Sequence, residues 1–198
     1  MPAHSALTGT NLHEPKGVAG EAQGKVYVSD GSNSGSWEYL PTGWALYHDD
    51  GGTQVFTATA AKLTVDGVGT DSISTYLPRE IRGSDELWDV ATSDVTPITL
   101  GDLYNVQLIL PVSAKTTSPK ALIVVFDVGS TGAVSEAILT KTEEIANVTT
   151  SDTLVIDFLV RTTANFVTNG GQIFLSTDVG TLTVNNPSVL ISRAHGEQ

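Results

Sequence analysis

Between residues 104 and 110 the chain alternates. Tyr104, Val106, Leu108 and Leu110 fall on one side, and Asn105, Gln107 and Ile109 on the other. Successive side chains of a strand point to opposite faces, so the pattern predicts a core strand with one strongly apolar face. Residues 121–128 (ALIVVFDV) and 154–161 (LVIDFLVR) are apolar at both alternations. That is the pattern of a strand covered on two sides, by a second sheet or by another subunit. Shorter strands are predicted at 25–29, 44–48, 54–59, 172–177, 181–184 and 189–192. The Gly, Asn and Asp clusters at 49–52, 66–67, 169–171 and 178–180 supply the turns between them. The best helical stretch, 141–147, is too short to bury much. The fold class this predicts is all-β: a jelly-roll-like antiparallel β-sandwich.

The first two dozen residues have no period of 2 or 3.6 and carry Gly, Pro, Thr and Asn with isolated aliphatics. They read as an extended N-terminal arm, residues 1–24, ahead of a β-sandwich domain over 25–198. Within that domain, 25–66 reads as a hairpin region, 67–103 as an irregular connection, and 104–198 as the main sheets. Pro78 and Pro97 keep the connection out of a central strand.

Composition narrows the function. Ten Lys and Arg against 22 Asp and Glu give a formal charge of −12, which repels a polyanion and argues against nucleic-acid binding. The chain has no cysteine, which removes disulfide scaffolds, thiolate metal sites and cysteine nucleophiles together. Residues 1–20 hold no apolar run of the export type, and no stretch approaches the roughly 20 apolar residues of a membrane helix. The expectation is a soluble chain made in a cytoplasm, with no membrane partner.

Candidate chemistry is sparse. The string nearest to a nucleophile elbow, GSNSG at 31–35, has Asn33 where serine is needed. No phosphate loop is present. His48, Asp49 and Asp50 are the compact metal-capable group, but two carboxylates before Gly51 and Gly52 read more readily as a solvated turn. Asp127 and Asp157 lie in otherwise apolar strands. A glycosidase pair is weighed against strand-edge carboxylates there, and the structural reading is favoured. Trp37, Trp44 and Trp88 are read as packing residues ahead of a sugar platform. No catalytic residue, metal or cofactor is expected, and the chain is read as not an enzyme.

Several strings are distinctive. His4 to Gly9, then LHEPKG from Leu12 to Gly17, then Val26-Tyr27-Val28 and Gly35-Ser36-Trp37 resemble a segment of tailed-bacteriophage structural proteins. Trp88-Asp89, Thr96-Pro97-Ile98, Leu100-Gly101-Asp102, Asn169-Gly170-Gly171 and the closing Val189 to Arg193 look like the β domain of phage head or tail appendage proteins. The resemblance implies a virion component: a head decoration, cement or head-fibre protein forming a homotrimer on the outer surface of the head. Its partners are then other copies of itself and the major capsid protein. Leu12, His13, Glu14, Pro15, Lys16 and Val18 are the capsid-contact candidates, since Pro15 stiffens the arm and Leu12 and Val18 are apolar anchors. Phe126 and Phe158, on the strands apolar at both alternations, are the trimer-interface candidates. The alternative is a tail-fibre or receptor-binding protein recognising a bacterial surface glycan.

Overall fold

The computed structural model describes residues 20, 25–29, 35–82, 85–113, 119–145 and 151–195. The chain divides into two units, Met1–Leu40 and Pro41–Gln198. In the first, β1 (Val26–Ser29) and β2 (Gly35–Glu38) form a two-stranded antiparallel sheet of their own. Tyr27 and Trp37 face each other in register, their rings edge-on at 5.5 Å. Within the first unit β1 and β2 pair with each other and not with the sandwich sheets, and the expected arm, residues 1–24, lies outside the described residues except for Gly20.

The second unit is a jelly-roll-like antiparallel β-sandwich, as the alternation predicts. Its strands are β3 (Gly43–His48), β4 (Thr53–Phe56), β5 (Ala61–Lys62), β6 (Trp88–Asp89), β7 (Asp94–Val95), β8 (Leu103–Val112), β9 (Ala121–Asp127), β10 (Ala137–Glu144), β11 (Asp152–Arg161), β12 (Gly171–Thr177), β13 (Leu182–Asn185) and β14 (Ser188–His195). One sheet has β8 at its centre. β11 pairs along one edge of β8 from Val112 to Leu103, while β14 pairs along the other and carries β3 beyond it. β13 touches β8 at Val112 and carries β4. The second sheet runs β10-β9-β12-β7-β6, with β5 also on β12.

The core lies between the sheets. Tyr104, Val106, Leu108, Leu110 and Val112 of β8 point into it, together with Ile156, Phe158 and Val160 of β11. From the other sheet come Leu122, Val124, Phe126, Ile173 and Leu175. Burial of this apolar set is the main force holding the sheets together.

Two elements depart from the sequence reading. The helix candidate at 141–147 overlaps β10, an edge strand whose exposed positions are Ala137, Ile138, Thr140, Thr142 and Glu144. Ile and Thr are β-branched, and pairing with β9 from Ala121 to Asp127 supplies the partner that an isolated turn of helix lacks. A short helix, α1 (Ala164–Asn169), stands between β11 and β12, where the sequence reading placed only the turn at 169–171. Thr163 caps it by accepting from the Phe166 amide at 3.2 Å, and Phe166 is the residue it buries.

Candidate functional site

The outer face of the β8 sheet is open. On β11, Asp152–Arg161, alternation puts Ile156, Phe158 and Val160 inside and Thr153, Val155, Asp157, Leu159 and Arg161 outside. Val155 and Leu159 are 53% and 58% exposed. The register sets Val155 beside Ile109, Asp157 beside Gln107, and Leu159 beside Asn105. Across β8 the same rows continue to Ser188, Leu190 and Ser192 of β14. The charged groups facing out from β14, β8 and β11 are Asp157 and Arg161, which cancel. Gln107 donates to the Asp157 carboxylate at 2.6 Å, so the polar groups at the centre of the face satisfy each other.

The two edges of this sheet differ. Along β3, residues 69–76 take the free hydrogen-bonding edge through Leu46 to Ile73 O, Ile73 to Leu46 O and Trp44 to Tyr76 O, all at 2.8–2.9 Å. The Trp44 and Tyr76 rings stack there at 5.2 Å. At β11, the Lys141 ammonium donates to the Asp157 carbonyl at 3.1 Å, and a lysine along an edge strand opposes uncontrolled strand addition.

Burial rules out the trimer-interface candidates in the form expected from the sequence. Phe126 and Phe158 are both buried in the core of the single chain, their rings 5.9 Å apart. Neither has surface left for a second copy. The apolar residues that do face outward on the same strand are Val155 and Leu159, one position away in the alternation from Phe158.

Two polar clusters tie the loops to this sheet. At one corner, the turn after β3 meets the turn before β14. Asp49 donates its amide to Pro187 O at 3.1 Å, and the Gly51 amide reaches the Asn186 side chain at 2.9 Å. Gly51 has φ +91, a left-handed geometry open to glycine. Gly52 lies so close to Asp49 that a Cβ would meet its carboxylate at 1.9 Å. His48 spans Ser188 Oγ at 2.6 Å from Nδ1 and Asp50 at 3.3 Å from Nε2. Serine, histidine and aspartate in that order are the side chains of a nucleophilic triad. Here Ser188 is buried, and the three side chains tie the end of β3 to the start of β14.

Burial pushes the Asp49 carboxyl above its ordinary value, and the neighbouring Asp66 charge adds to it. A value raised in the native state means that folding favours the neutral form. That contribution is complete below the ordinary carboxylate range and is lost as pH rises through the raised value. Asp49→Asn mimics the neutral acid. It is expected to raise the melting temperature near pH 7 by roughly 2–4 °C and to have little effect near pH 3, as thermal scans at both pH values would read. Equal melting temperatures for the two proteins at neutral pH would refute this reading of the corner.

The second cluster is buried. Arg193 of β14 donates to Asp102 at 2.9 Å, to Glu80 at 2.9 Å and to Pro41 O at 3.0 Å. Asp102 also accepts from the Tyr104 hydroxyl and the Thr99 amide, both at 3.0 Å. Burial lowers the Arg193 guanidinium, and the hydrogen bonds and charges of Asp102 and Glu80 reverse this, leaving it above its ordinary value. Burial likewise holds the Tyr104 hydroxyl above its usual range. Sequence reading noted Arg193 and Asp102 only within strings of resemblance; nothing in either string marks them as a pair.

The remaining candidates separate. Asp127 is buried and accepts from the amides of Gly129, Ser135 and Glu136, closing the loop after β9, while Asp157 faces outward from the other sheet. They form no carboxylate pair. Trp88 is fully buried and donates to Val65 O at 2.9 Å, which removes it as a sugar platform. A cleft of about 320 Å³ lies between Tyr47, Gly67, Ser72, Ile73 and Val90, and its carboxylate, Glu86, is engaged by the Tyr47 hydroxyl at 2.8 Å. Among the described residues no group of three or more His, Asp or Glu side chains is placed to hold a metal ion. Leu12, His13, Glu14, Pro15, Lys16 and Val18 lie outside the described residues, as does most of the 31–35 string.

No family model matches the chain, and no curated protein does. Among solved structures it is similar to "PRD1 vertex protein P5", at 14% identity over 88% of this chain and 84% of that one, with a TM-score of 0.47. It is also similar to the Eiger TNF from S. frugiperda, at 9% identity over 80% and 96%, TM-score 0.39. A chain of the infectious bursal disease virus Gx strain structure has 9% identity over 84% of this chain and 36% of that one, TM-score 0.36. Likenesses this low carry no statement of what the chain binds.

Proposed function

We propose that this chain is a structural component of a tailed-bacteriophage virion. In this reading it decorates the outer surface of the head as a homotrimer, binds the major capsid protein, and performs no chemistry. It binds neither nucleic acid nor membrane. The observation that carries the reading is the division of the chain at Leu40 and Pro41. The LHEPKG string and the residues around it, which resemble phage structural proteins, fall in the first unit, and an acidic jelly-roll-like body makes up the second. An attachment segment followed by a self-contained body suits a protein that fixes itself to a shell by one part and exposes the other.

The mechanism is multivalent contact. Three copies joined in one trimer present three attachment segments. Once the first is bound, the effective concentration of the others is of the order of millimolar, so weak single contacts become a firm hold. Shell subunits bridged this way are stabilised by mass action, because the decoration binds the assembled state.

Gold-tagged antibody against this chain, applied to intact virions and viewed by electron microscopy, tests the reading. Label over the head is the expected result. Label confined to the tail would sink head decoration and leave receptor recognition. The stacked Trp44 and Tyr76 pair, with Tyr76 53% exposed, is the feature that favours that second reading, since an accessible aromatic face suits a sugar ring.

A further inference from the structure

We propose that Lys62 and Asp94 join covalently, the lysine amine and the aspartate carboxyl condensing into an amide that staples β5 to β7. This modification is independent of the virion reading. It is a single event on the chain itself and gives no activity toward a substrate.

The sheet brings the two side chains together. β9 takes one edge of β12 along 172–177, and β5 and β7 share the other, with Lys62 opposite Phe174 and Asp94 opposite Gln172. Positions two apart on a strand face the same way about 6.8 Å from each other, a gap that the lysine stem spans. Water is largely kept out: the Lys62 and Asp94 side chains are 21% and 14% exposed, and Phe174 and Gln172 beside them are buried.

The contact is close, and it is not an ordinary ion pair. Lys62 Nζ lies 2.5 Å from Asp94 Oδ1, yet that oxygen is buried and accepts no hydrogen bond among the described residues. A charge-assisted pair points a proton at the oxygen. Adding a carbon–oxygen bond of about 1.2 Å sets Nζ no more than about 3.7 Å from the Asp94 carboxyl carbon, against roughly 3–3.5 Å for a near-attack pair. An ammonium has three protons to place, and among the described residues Nζ places one, on Thr92 O at 2.6 Å. One N–H is what an amide nitrogen keeps. Asp89 stands opposite Asp94 in the β6–β7 register, so two carboxylates share the row. Like charges there repel, and condensation removes one of them.

The step needs no co-reactant. The ammonium passes one proton to the Asp94 carboxylate, and Nζ attacks Cγ. The C–O bond breaks as that oxygen leaves as water, carrying the transferred proton and a second one from nitrogen. One N–C bond forms, both charges vanish, and the remaining N–H stays with Thr92 O. Exclusion of water then protects the amide from hydrolysis. β5 and β7 are two residues long, and each holds β12 by two residue pairs. Closing the chain between 62 and 94 restricts the unfolded state as a disulfide would, a constraint that this cysteine-free chain cannot draw from thiols.

The test uses the full chain, denatured, in an intact-mass measurement. The wild type is expected to be lighter than its sequence requires by one water molecule, and Lys62→Arg and Asp94→Ala are each expected to show their full sequence mass. A wild type at full mass overturns the proposal. So does a Lys62→Arg chain that keeps the deficit, which would put the water loss elsewhere, as in cyclisation of Asp66 before Gly67.

Where a variant does not fold, the wild type alone decides. Trypsin does not cut after an acylated lysine, so digestion is expected to leave the bond between Lys62 and Leu63 intact and to yield one branched peptide carrying positions 62 and 94. A linear peptide ending at Lys62, with Asp94 in another, overturns the proposal.

Discussion

Replacing Arg193 with alanine is expected to remove about 3–5 kcal/mol of stability, a large share of the roughly 5–15 kcal/mol a domain holds. The guanidinium is 1% exposed and Asp102 is fully buried, so alanine leaves a carboxylate in the interior without its cation. Removing one partner of a buried ion pair costs more than the pair itself is worth, because Asp102 would keep its bonds from Tyr104 and Thr99 but lose its countercharge without regaining water. Arg193 also joins three parts of the chain: β14, the loop at Glu80 and the start of the second unit at Pro41. Replacing both partners with apolar side chains, Arg193→Met with Asp102→Leu, is expected to recover a good part of the loss. Urea denaturation of the wild type, the single variants and the double variant reads this directly. A loss below about 1 kcal/mol for Arg193→Ala would mean that the interior cluster is solvated and the ion pair inessential.

Phe126→Asp is expected to give no soluble folded protein, and Phe126→Ala to cost about 3–5 kcal/mol. Phe126 is fully buried and meets Phe158 and Phe166 edge-on, with centroids at 5.9 and 5.1 Å. Gly171 marks how close the packing is: a Cβ there would lie 2.1 Å from the Phe126 ring, so the strand β12 passes the ring as bare backbone. An aspartate at 126 would be an unpaired charge among aromatic rings. Expression with fractionation and circular dichroism decides the matter. A soluble Phe126→Asp monomer with the wild-type β spectrum would return this residue to an intersubunit surface and refute its place in the core.

The strict alternation of Tyr104 to Leu110 was sufficient to mark β8 as a core strand and to say which side points inward, because one buried face fixes the alternation, while its central place among β11, β14 and β13 appears only in the fold. The run at 154–161 was legible as a strand but not as to its sides. Aliphatic and aromatic residues on both alternations carry no label for which side meets the core, so Phe158 and Leu159 are equivalent in sequence and opposite in the fold. β10 was hidden because Lys, Thr and Glu at an edge strand answer to solvent on one side, which blurs the period. The polar clusters were illegible for a different reason. Arg193 and Asp102 are 91 positions apart, and His48 and Ser188 are 140 apart, so only the strand order brings them together. The capsid-contact candidates rest on resemblance and stand outside the described residues.

The place of β14 in its sheet governs when the sandwich can form. This strand, residues 188–195, lies between β3 and β8, so residues 43–48 have no sheet partner on that side until the polypeptide has been synthesised almost to residue 195. Before then β3 and the core edge of β8 are unpaired strands bearing apolar faces. Loop closure over some 145 positions is a slow, entropically costly event, and sandwiches dominated by such pairings fold in roughly milliseconds to seconds. A ribosome pausing shortly before codon 188 would therefore hold a chain with open, sticky edges, and truncations that remove β14 should aggregate instead of yielding a smaller folded domain.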